Sequence, residues 1–284
     1  MMGHRNPPGW GAFPSDDDIA FYRAHGYVVS PPLLPPELLE SARYGVMRYY
    51  EGERDWQLPI SGGFLDWHTE HGDGLRINDY VSLQNRELRN LVLFPALGWA
   101  LARLMGVRTV RLFHDQLISK SPGYEGRTAV GWHVDQAYWD TCTSDRMLTA
   151  WIPLERYSAD MGPVMVIPGS HRWQDTGWMR TFSETDLPGL ERRVAQSSGI
   201  IEKVRILIEP GCVSFHHSKT IHGSEPNRGD RPRLALTVHA QDGDNRYRPG
   251  SRAYHMNELL CRRDEDYQPD YTDPDICPVL YSED

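Results

Sequence analysis

Residues 204–240 read VRILIEPGCVSFHHSKTIHGSEPNRGDRPRLALTVHA, and the texture of this stretch decides the fold class. Three β-type runs, VRILIE, CVSFHH and RLALTVHA, are separated by Pro-Gly and by a segment rich in Gly, Pro, Asn and Asp, the residues that break strands and make turns. Successive side chains on a strand point to opposite faces, so Leu234, Leu236 and Val238 share one side while Arg233, Ala235, Thr237 and His239 share the other. One side packs and the other carries polar chemistry. Strands whose polar faces converge on a cavity are the parts of a barrel or a double-sheet jelly roll.

The same texture extends upstream through PVMVIP (163–168), RMLTAWIPL (146–154) and VRTVRLFHDQLIS (107–119). Before residue 107 the signals are helical. Ser15 followed by Asp16, Asp17 and Asp18 is a helix N-cap with acidic residues where the helix dipole favours them, and Gly26 closes that helix. Pro36 opens a second, with Leu38, Leu39, Ala42 and Val46 on one face. A third is expected over 91–105, with Pro95 in its first turn or at a kink and Gly106 at its end. The expected architecture is mainly β with flanking helices around a double-stranded β-helix (jelly-roll, cupin-like) core. It forms one domain over 1–284: a loose arm up to residue 14, a mainly helical part over 15–106, the jelly-roll core over 107–240, and a polar covering segment over 241–284.

The chain has 284 residues and enough apolar content, 39%, to bury a core without disulfides. Its four cysteines are scattered and none forms a CxxC pair, so reduced thiols are expected. A net charge of −9 argues against binding to nucleic acid or to an anionic membrane surface. No secretory leader is recognisable at the N-terminus, and a soluble, cytoplasmic protein acting on a small molecule is the expectation. Lysine occurs only at 120, 203 and 219, so arginine carries nearly all the positive charge.

Chemistry gathers around Trp132-His133-Val134-Asp135. In an extended segment His133 and Asp135 point the same way and can grip one metal ion. His222, at the end of a β-like run, supplies a third ligand from a distant strand. Two imidazoles and one carboxylate leave coordination positions open, as in non-haem Fe(II) oxygenases. Arg233, eleven residues after His222, carries a guanidinium fork suited to a carboxylate. His216 and His217 fall on opposite faces, and His114, His171 and His239 read as packing or hydrogen-bonding residues.

The chain resembles the phytanoyl-CoA dioxygenase-like family of Fe(II)/2-oxoglutarate oxygenases. The likeness is carried, in order, by DDDIAFYRAHGYVV, HDQLISKSPG, WHVDQAYW, LTAWIPL, GPVMVIPGSHR, EPGCVSFHHSKTIHGS and NRGDRPRLAL. It implies a jelly-roll core and iron ligands His133, Asp135 and His222, with no catalytic residue beyond the metal centre. It also implies Fe(II) with 2-oxoglutarate and O2 as cosubstrates, Arg233 and Ser224 on the distal carboxylate of 2-oxoglutarate, and Trp151 and Gln116 along the cosubstrate pocket. Halogenating relatives have a small residue at the position of the metal carboxylate; Asp135 therefore points to hydroxylation or another oxidation. Cys212 and Met161 depart from the family's common Asp and Asn without touching the metal site.

For the substrate, the aromatics Tyr138 and Trp139 after the ligands, and Trp67, His68 and Arg76 within LPISGGFLDWHTEHGDGLRINDY (58–80), are the candidates. They suit a sugar-like or other compact polar metabolite, and the arginine bias hints at a GC-rich bacterium and natural-product tailoring, including antibiotic biosynthesis. An acyl-CoA or amino-acid-derived substrate is the alternative within the same family. A non-catalytic cupin-like metal- or sugar-binding module is the alternative outside it, and such a module has no need of Arg233 and Ser224.

Overall fold

A computed structural model describes residues 12–198, 201–251 and 254–283; the expected N-terminal arm falls, up to residue 11, outside them. The strands are β1 (Tyr27–Val29), β2 (Leu75–Asp79), β3 (Thr109–Lys120), β4 (Val130–His133), β5 (Met147–Pro153), β6 (Val164–Val166), β7 (Val204–Arg205), β8 (Ser214–His217), β9 (His222–Ser224), β10 (Arg233–Asp242) and β11 (Val279–Ser282). The helices are α1 (Asp16–His25), α2 (Pro36–Tyr50), α3 (Arg86–Val92), α4 (Pro95–Met105), α5 (Leu187–Ser198) and α6 (Asn257–Leu260).

Two antiparallel sheets form the core. The larger runs β1-β8-β5-β10-β3, and β3 is long enough for β11 to pair with its beginning and β2 with its end. The smaller runs β4-β9-β6-β7. This is the jelly roll expected from the strand texture.

Alternation along the strands assigns the faces. On β5, Leu148, Ala150 and Ile152 join Leu236 and Val238 of β10 in the main apolar core, against side chains of α1 to α4. Thr149 and Trp151 point the other way, with Arg233, Thr237 and His239, into the space between the sheets. A second cluster, Trp132, Val134, Met165, Ile167, Leu187, Leu190 and Val194, packs α5 against the smaller sheet.

The helix signals act as the chemistry requires. The Ser15 hydroxyl accepts from the Asp18 backbone N–H at 3.2 Å while the Asp18 carboxylate accepts from the Ser15 N–H at 2.8 Å, a reciprocal cap. Gly26 ends α1 in the left-handed region at φ 78°, where a β-carbon is disfavoured. Pro36 and Pro95 each sit in a first helical turn, where a missing N–H costs nothing. The helix expected over 91–105 therefore begins at Pro95, and α3 precedes it as a separate helix. The stretch Arg86–Met105 is apolar and long enough to cross a membrane, but it is broken into these two helices and buried in the core.

The C-terminal segment does more than cover the fold. It contributes β11 to the larger sheet, and Tyr254, His255 and Met256 to a cavity wall. Gly98 lets α4 lie against β11: a β-carbon there would stand 2.1 Å from the Leu280 carbonyl oxygen.

Candidate metal centre and cosubstrate cavity

Strands β4 and β9 pair antiparallel with His133 opposite His222, so the two rings lie side by side, 4.1 Å between centroids. β4 ends at His133, but Val134 stays extended at φ −122°, ψ 133°, which brings Asp135 to the same side. Asp135 Oδ1 is 3.6 Å from His133 Nε2 and 3.5 Å from His222 Nε2, and one donor atom from each of the three lies within 4.8 Å of the others.

The hydrogen bonds decide which atoms stay free. His133 Nδ1 donates to the Gly131 carbonyl at 2.8 Å and His222 Nδ1 to the Thr220 carbonyl at 2.9 Å. Both rings are thereby held in the tautomer that leaves an Nε2 lone pair facing Asp135. Asp135 Oδ2 accepts from the Thr149 hydroxyl at 2.6 Å, and Thr149 accepts from His239 Nδ1 at 2.8 Å, which leaves Oδ1 available. Burial, then the neighbouring His133, push the His222 imidazole well below its usual range, so it is neutral. Burial opposes ionisation of Asp135, yet His222, His133 and His216 around it hold the carboxyl well below its usual range. Two imidazoles that present Nε2 and an anionic carboxylate are the donor set of a facial triad for a divalent metal such as iron.

His216 belongs to this neighbourhood. It is buried, its ring is 4.3 Å from that of His222, its Nε2 is 3.5 Å from Asp135 Oδ2, and among the described residues neither ring nitrogen has a hydrogen-bond partner. His217 points away, toward Tyr22 and His171.

The triad opens on a cavity of about 480 Å³ between the sheets. Gln116, Trp151, Ser224 and Arg233 all line it, as do Tyr138 and Trp139. Arg233 is 1% exposed; one terminal nitrogen donates to the Gly162 carbonyl at 2.6 Å, its Cζ stands 4.8 Å over the Trp151 ring, and its Nε has no partner among the described residues. Burial pushes its pKa down to about 10, which still leaves it charged at neutral pH. A buried guanidinium with an unused donor at one end of a cavity, and a metal triad in the same cavity, fit a ligand that chelates at one end and carries a carboxylate at the other.

Trp67, His68 and Arg76 are not brought to this cavity. Arg76 instead stacks over Trp67 at 4.2 Å and pairs with Asp73, Trp67 packs edge-on against Tyr50, and His68 lies half exposed beside Asp66. The same segment reaches the cavity through Phe64, Leu65, Asp79 and Tyr80. His114 and His239, read as packing residues, are in the wall as well; alternation with Gln116 on β3 and with Arg233 and Thr237 on β10 is the signal that pointed there. His171 is a hydrogen-bonding residue, on the Arg23 carbonyl.

The profile of the phytanoyl-CoA dioxygenase (PhyH) family matches residues 22–235. The chain belongs to the phytanoyl-CoA dioxygenase family. Among curated relatives, the phytanoyl-CoA dioxygenase domain-containing protein 1 homolog of Caenorhabditis briggsae is 28% identical over 145 residues, covering 50% of this chain and 50% of the relative; the chain spans about half the length of the first curated relatives it matches. Among solved structures, the non-heme alpha-ketoglutarate-dependent carbocyclase SnoK from nogalamycin biosynthesis superposes with a TM-score of 0.71 at 26% identity, over 96% of this chain and 99% of SnoK. EctD from S. alaskensis, solved with 2-oxoglutarate and 5-hydroxyectoine, gives a TM-score of 0.69 at 21% identity over 92% and 88% of the two chains, a likeness of fold. The family match spans every residue of the triad together with Ser224 and Arg233.

Proposed function

We propose that this member of the phytanoyl-CoA dioxygenase family is an Fe(II)/2-oxoglutarate-dependent dioxygenase that oxidises an unactivated C–H bond of a small polar metabolite, as a tailoring step in bacterial natural-product biosynthesis such as that of an oligosaccharide antibiotic. The observation that carries this reading is one cavity with a metal triad at one point and, at another, a buried arginine that has no counter-ion among the described residues. SnoK, named as a carbocyclase of nogalamycin biosynthesis, supports the natural-product setting.

In this reading His133 Nε2, His222 Nε2 and Asp135 Oδ1 hold iron, and Arg233 and Ser224 bind the distal carboxylate of 2-oxoglutarate, alongside Trp151 and Gln116. When bound, these cofactors supply the oxidising power: 2-oxoglutarate and O2 give succinate and CO2, and in a hydroxylation the second oxygen atom enters the substrate C–H bond. The chain contributes orientation and exclusion of water. Thr149 and His239 hold Asp135 through its second oxygen. Tyr138, Trp139 and Phe182 contribute aromatic lining to the cavity.

The polar part of the lining supports a polar substrate. His114, Gln116 and Asp79 belong to it, with Gln116 donating to Asp79 Oδ1 at 2.8 Å and His114 Nε2 3.3 Å from the same oxygen. Burial works against ionisation of Asp79, but His114 beside it holds the carboxyl below its usual value. A wall of such polar groups favours a compact hydroxylated ligand over an acyl-CoA, whose nucleotide also exceeds what about 480 Å³ can share with a cosubstrate.

The test is anaerobic addition of Fe(II) and 2-oxoglutarate. A weak visible charge-transfer band is expected in the wild type and is expected to vanish in Asp135→Ala and in Arg233→Ala. Wild-type protein that binds iron yet gives neither the band nor uncoupled succinate under air would be a metal-binding module, and the dioxygenase reading would be wrong.

A further inference from the structure

His255 comes from the C-terminal segment, beyond the residues 22–235 that the family profile matches, and lines the cavity together with His114 and His239. Its ring lies on Phe113, 4.3 Å between centroids, and edge-on to His114 at 5.4 Å. The Asn257 N–H donates to its Nδ1 at 3.2 Å, so the proton of the neutral ring sits on Nε2. Burial, then His114 and His239, push this imidazole well below its usual range, and the neutral ring is the form present. Among the described residues nothing accepts from Nε2. The segment around it is nonetheless fixed from several directions. The His255 N–H donates to Glu258 Oε1 at 3.0 Å, and the fully buried Asn257 donates to the Phe113 carbonyl at 2.7 Å and accepts from the Tyr80 hydroxyl at 2.9 Å. Tyr80 holds φ 56° to do so, a left-handed conformation that is costly for a tyrosine and clusters at ligand sites.

His239 presents the opposite polarity. Its Nδ1 proton goes to Thr149, which leaves a lone pair on Nε2. That nitrogen faces Gln116 Oε1 and Thr237 Oγ1, each at 3.4 Å. Gln116 Oε1 is an acceptor, because the amide nitrogen is turned to the Asp79 carboxylate, and the Thr237 proton is directed at the Gln116 backbone carbonyl at 3.3 Å. The wall therefore offers one free donor, at His255, and two acceptors without a donor, at His239 and Gln116. Asp79 and Asp135 are the carboxylates of the lining, and both are engaged. Asp79 accepts from the Leu65 N–H and from Gln116, each at 2.8 Å, while Asp135 belongs to the metal triad.

We propose that His255 is a specificity-determining residue for a neutral polyhydroxylated ligand, one of whose hydroxyls accepts from Nε2 while another donates to His239 and Gln116. A hydroxyl both donates and accepts, as this wall requires. A carboxylate or a ketone has no proton for His239, and an ammonium accepts nothing from His255 and finds no unpaired carboxylate. A cyclitol or a pyranoside has the matching chemistry.

The role given to His255 rests on the dioxygenase reading, and the charge-transfer band separates the two. Full-length protein is loaded anaerobically with Fe(II) and 2-oxoglutarate, and dissociation constants are read from the shift of the band. The probes are myo-inositol and methyl α-D-glucopyranoside, with cyclohexanol and cyclohexylammonium as rings that lack the hydroxyl pair. Absence of the band before any probe is added would remove the dioxygenase reading itself. With the band present, wild type is expected to bind at least one polyol about tenfold or more tightly than cyclohexanol and cyclohexylammonium. His255→Phe, which keeps an aromatic ring on Phe113, is expected to erase that preference and retain the band. His255→Gln, whose amide N–H can stand in for Nε2–H, is expected to keep the preference within about threefold. The wild-type comparison needs no variant, should His255→Phe not fold. Failure to bind either polyol, binding of cyclohexanol or cyclohexylammonium as tight as that of the polyols, an undiminished preference in His255→Phe, or its complete loss in His255→Gln would overturn the role assigned to His255.

Discussion

Thr149 acts on the metal site without belonging to it. Its hydroxyl donates to Asp135 Oδ2 and accepts from His239 Nδ1, so Thr149→Val strands two buried polar groups while keeping the side-chain shape. Outer hydrogen bonds of this kind are worth about 10- to 100-fold in metal affinity, and a fall of that size is expected in a Mn(II) or Fe(II) titration, with the fold preserved by circular dichroism. His217 gives a prediction for the pH dependence of stability. Burial, then His171 and Lys219, push its pKa down to about 4 from 6.5, and its Nδ1 accepts from the Lys219 N–H at 3.0 Å, which requires the neutral ring. A depressed histidine pKa means that the unfolded chain takes up a proton that the folded chain refuses. Its contribution is therefore complete above about pH 6.5 and is lost as the pH falls toward about 4. Between pH 7 and 4.5, metal-free His217→Gln should lose about 2–3 kcal/mol less stability than wild type in urea unfolding; equal losses would show that His217 is not the titrating group.

Two glycines show how elements meet. At Gly98 an added β-carbon would run into the Leu280 carbonyl oxygen at 2.1 Å, where α4 crosses β11; at Gly131 it would run into the Thr181 carbonyl oxygen at 2.0 Å, beside β4. Each alanine substitution forces backbone apart, an overpacking cost of about 1–3 kcal/mol. The consequences should differ. Gly98→Ala is expected to lower the urea midpoint and leave metal affinity nearly unchanged, because α4 packs on the face of the larger sheet away from the cavity and β11 pairs only with the beginning of β3, at the edge of that sheet. Gly131→Ala is expected to weaken metal binding, because the Gly131 carbonyl orients His133. Elements with a local signal were readable in advance: the Ser15 cap, Pro36 and Gly106 at helix ends, and the alternating runs of β3, β5 and β10. Strand β11 and α5 were not anticipated: four residues of β11 carry no period, whereas Leu187, Leu190 and Val194 of α5 do stand at helical spacing, behind a Pro188-Gly189 pair that reads as a turn.

Across the whole molecule, the two sheets face each other over a cavity that a metal and a dicarboxylate are expected to fill together. Ligands that bind only the folded state raise its stability, by about 2.7 kcal/mol at 100 times the dissociation constant. Mn(II) with 2-oxoglutarate is therefore expected to raise the thermal midpoint more than Mn(II) alone. In Arg233→Ala the increment from 2-oxoglutarate should disappear while the one from Mn(II) remains; an undiminished increment would place the carboxylate elsewhere.

The sequence by itself was enough for the jelly-roll class, the family, and which residues share a strand face, because these are written in short-range alternation, turn residues and the order of motifs. It identified Gln116, Tyr138, Trp139, Trp151, Ser224 and Arg233 as candidates, and the fold gathers all six at one cavity. Only the tertiary structure decided that Trp67, His68 and Arg76 face away, that Asp79, His114 and His239 form the polar wall, and that His255 joins it from the C-terminal segment. The reason is physical. Alternation states which way a side chain points from its own strand, whereas the register that sets Lys120 against Arg233, and the loop path that puts Phe64 and Leu65 rather than Trp67 at the cavity, depend on partners far away along the chain.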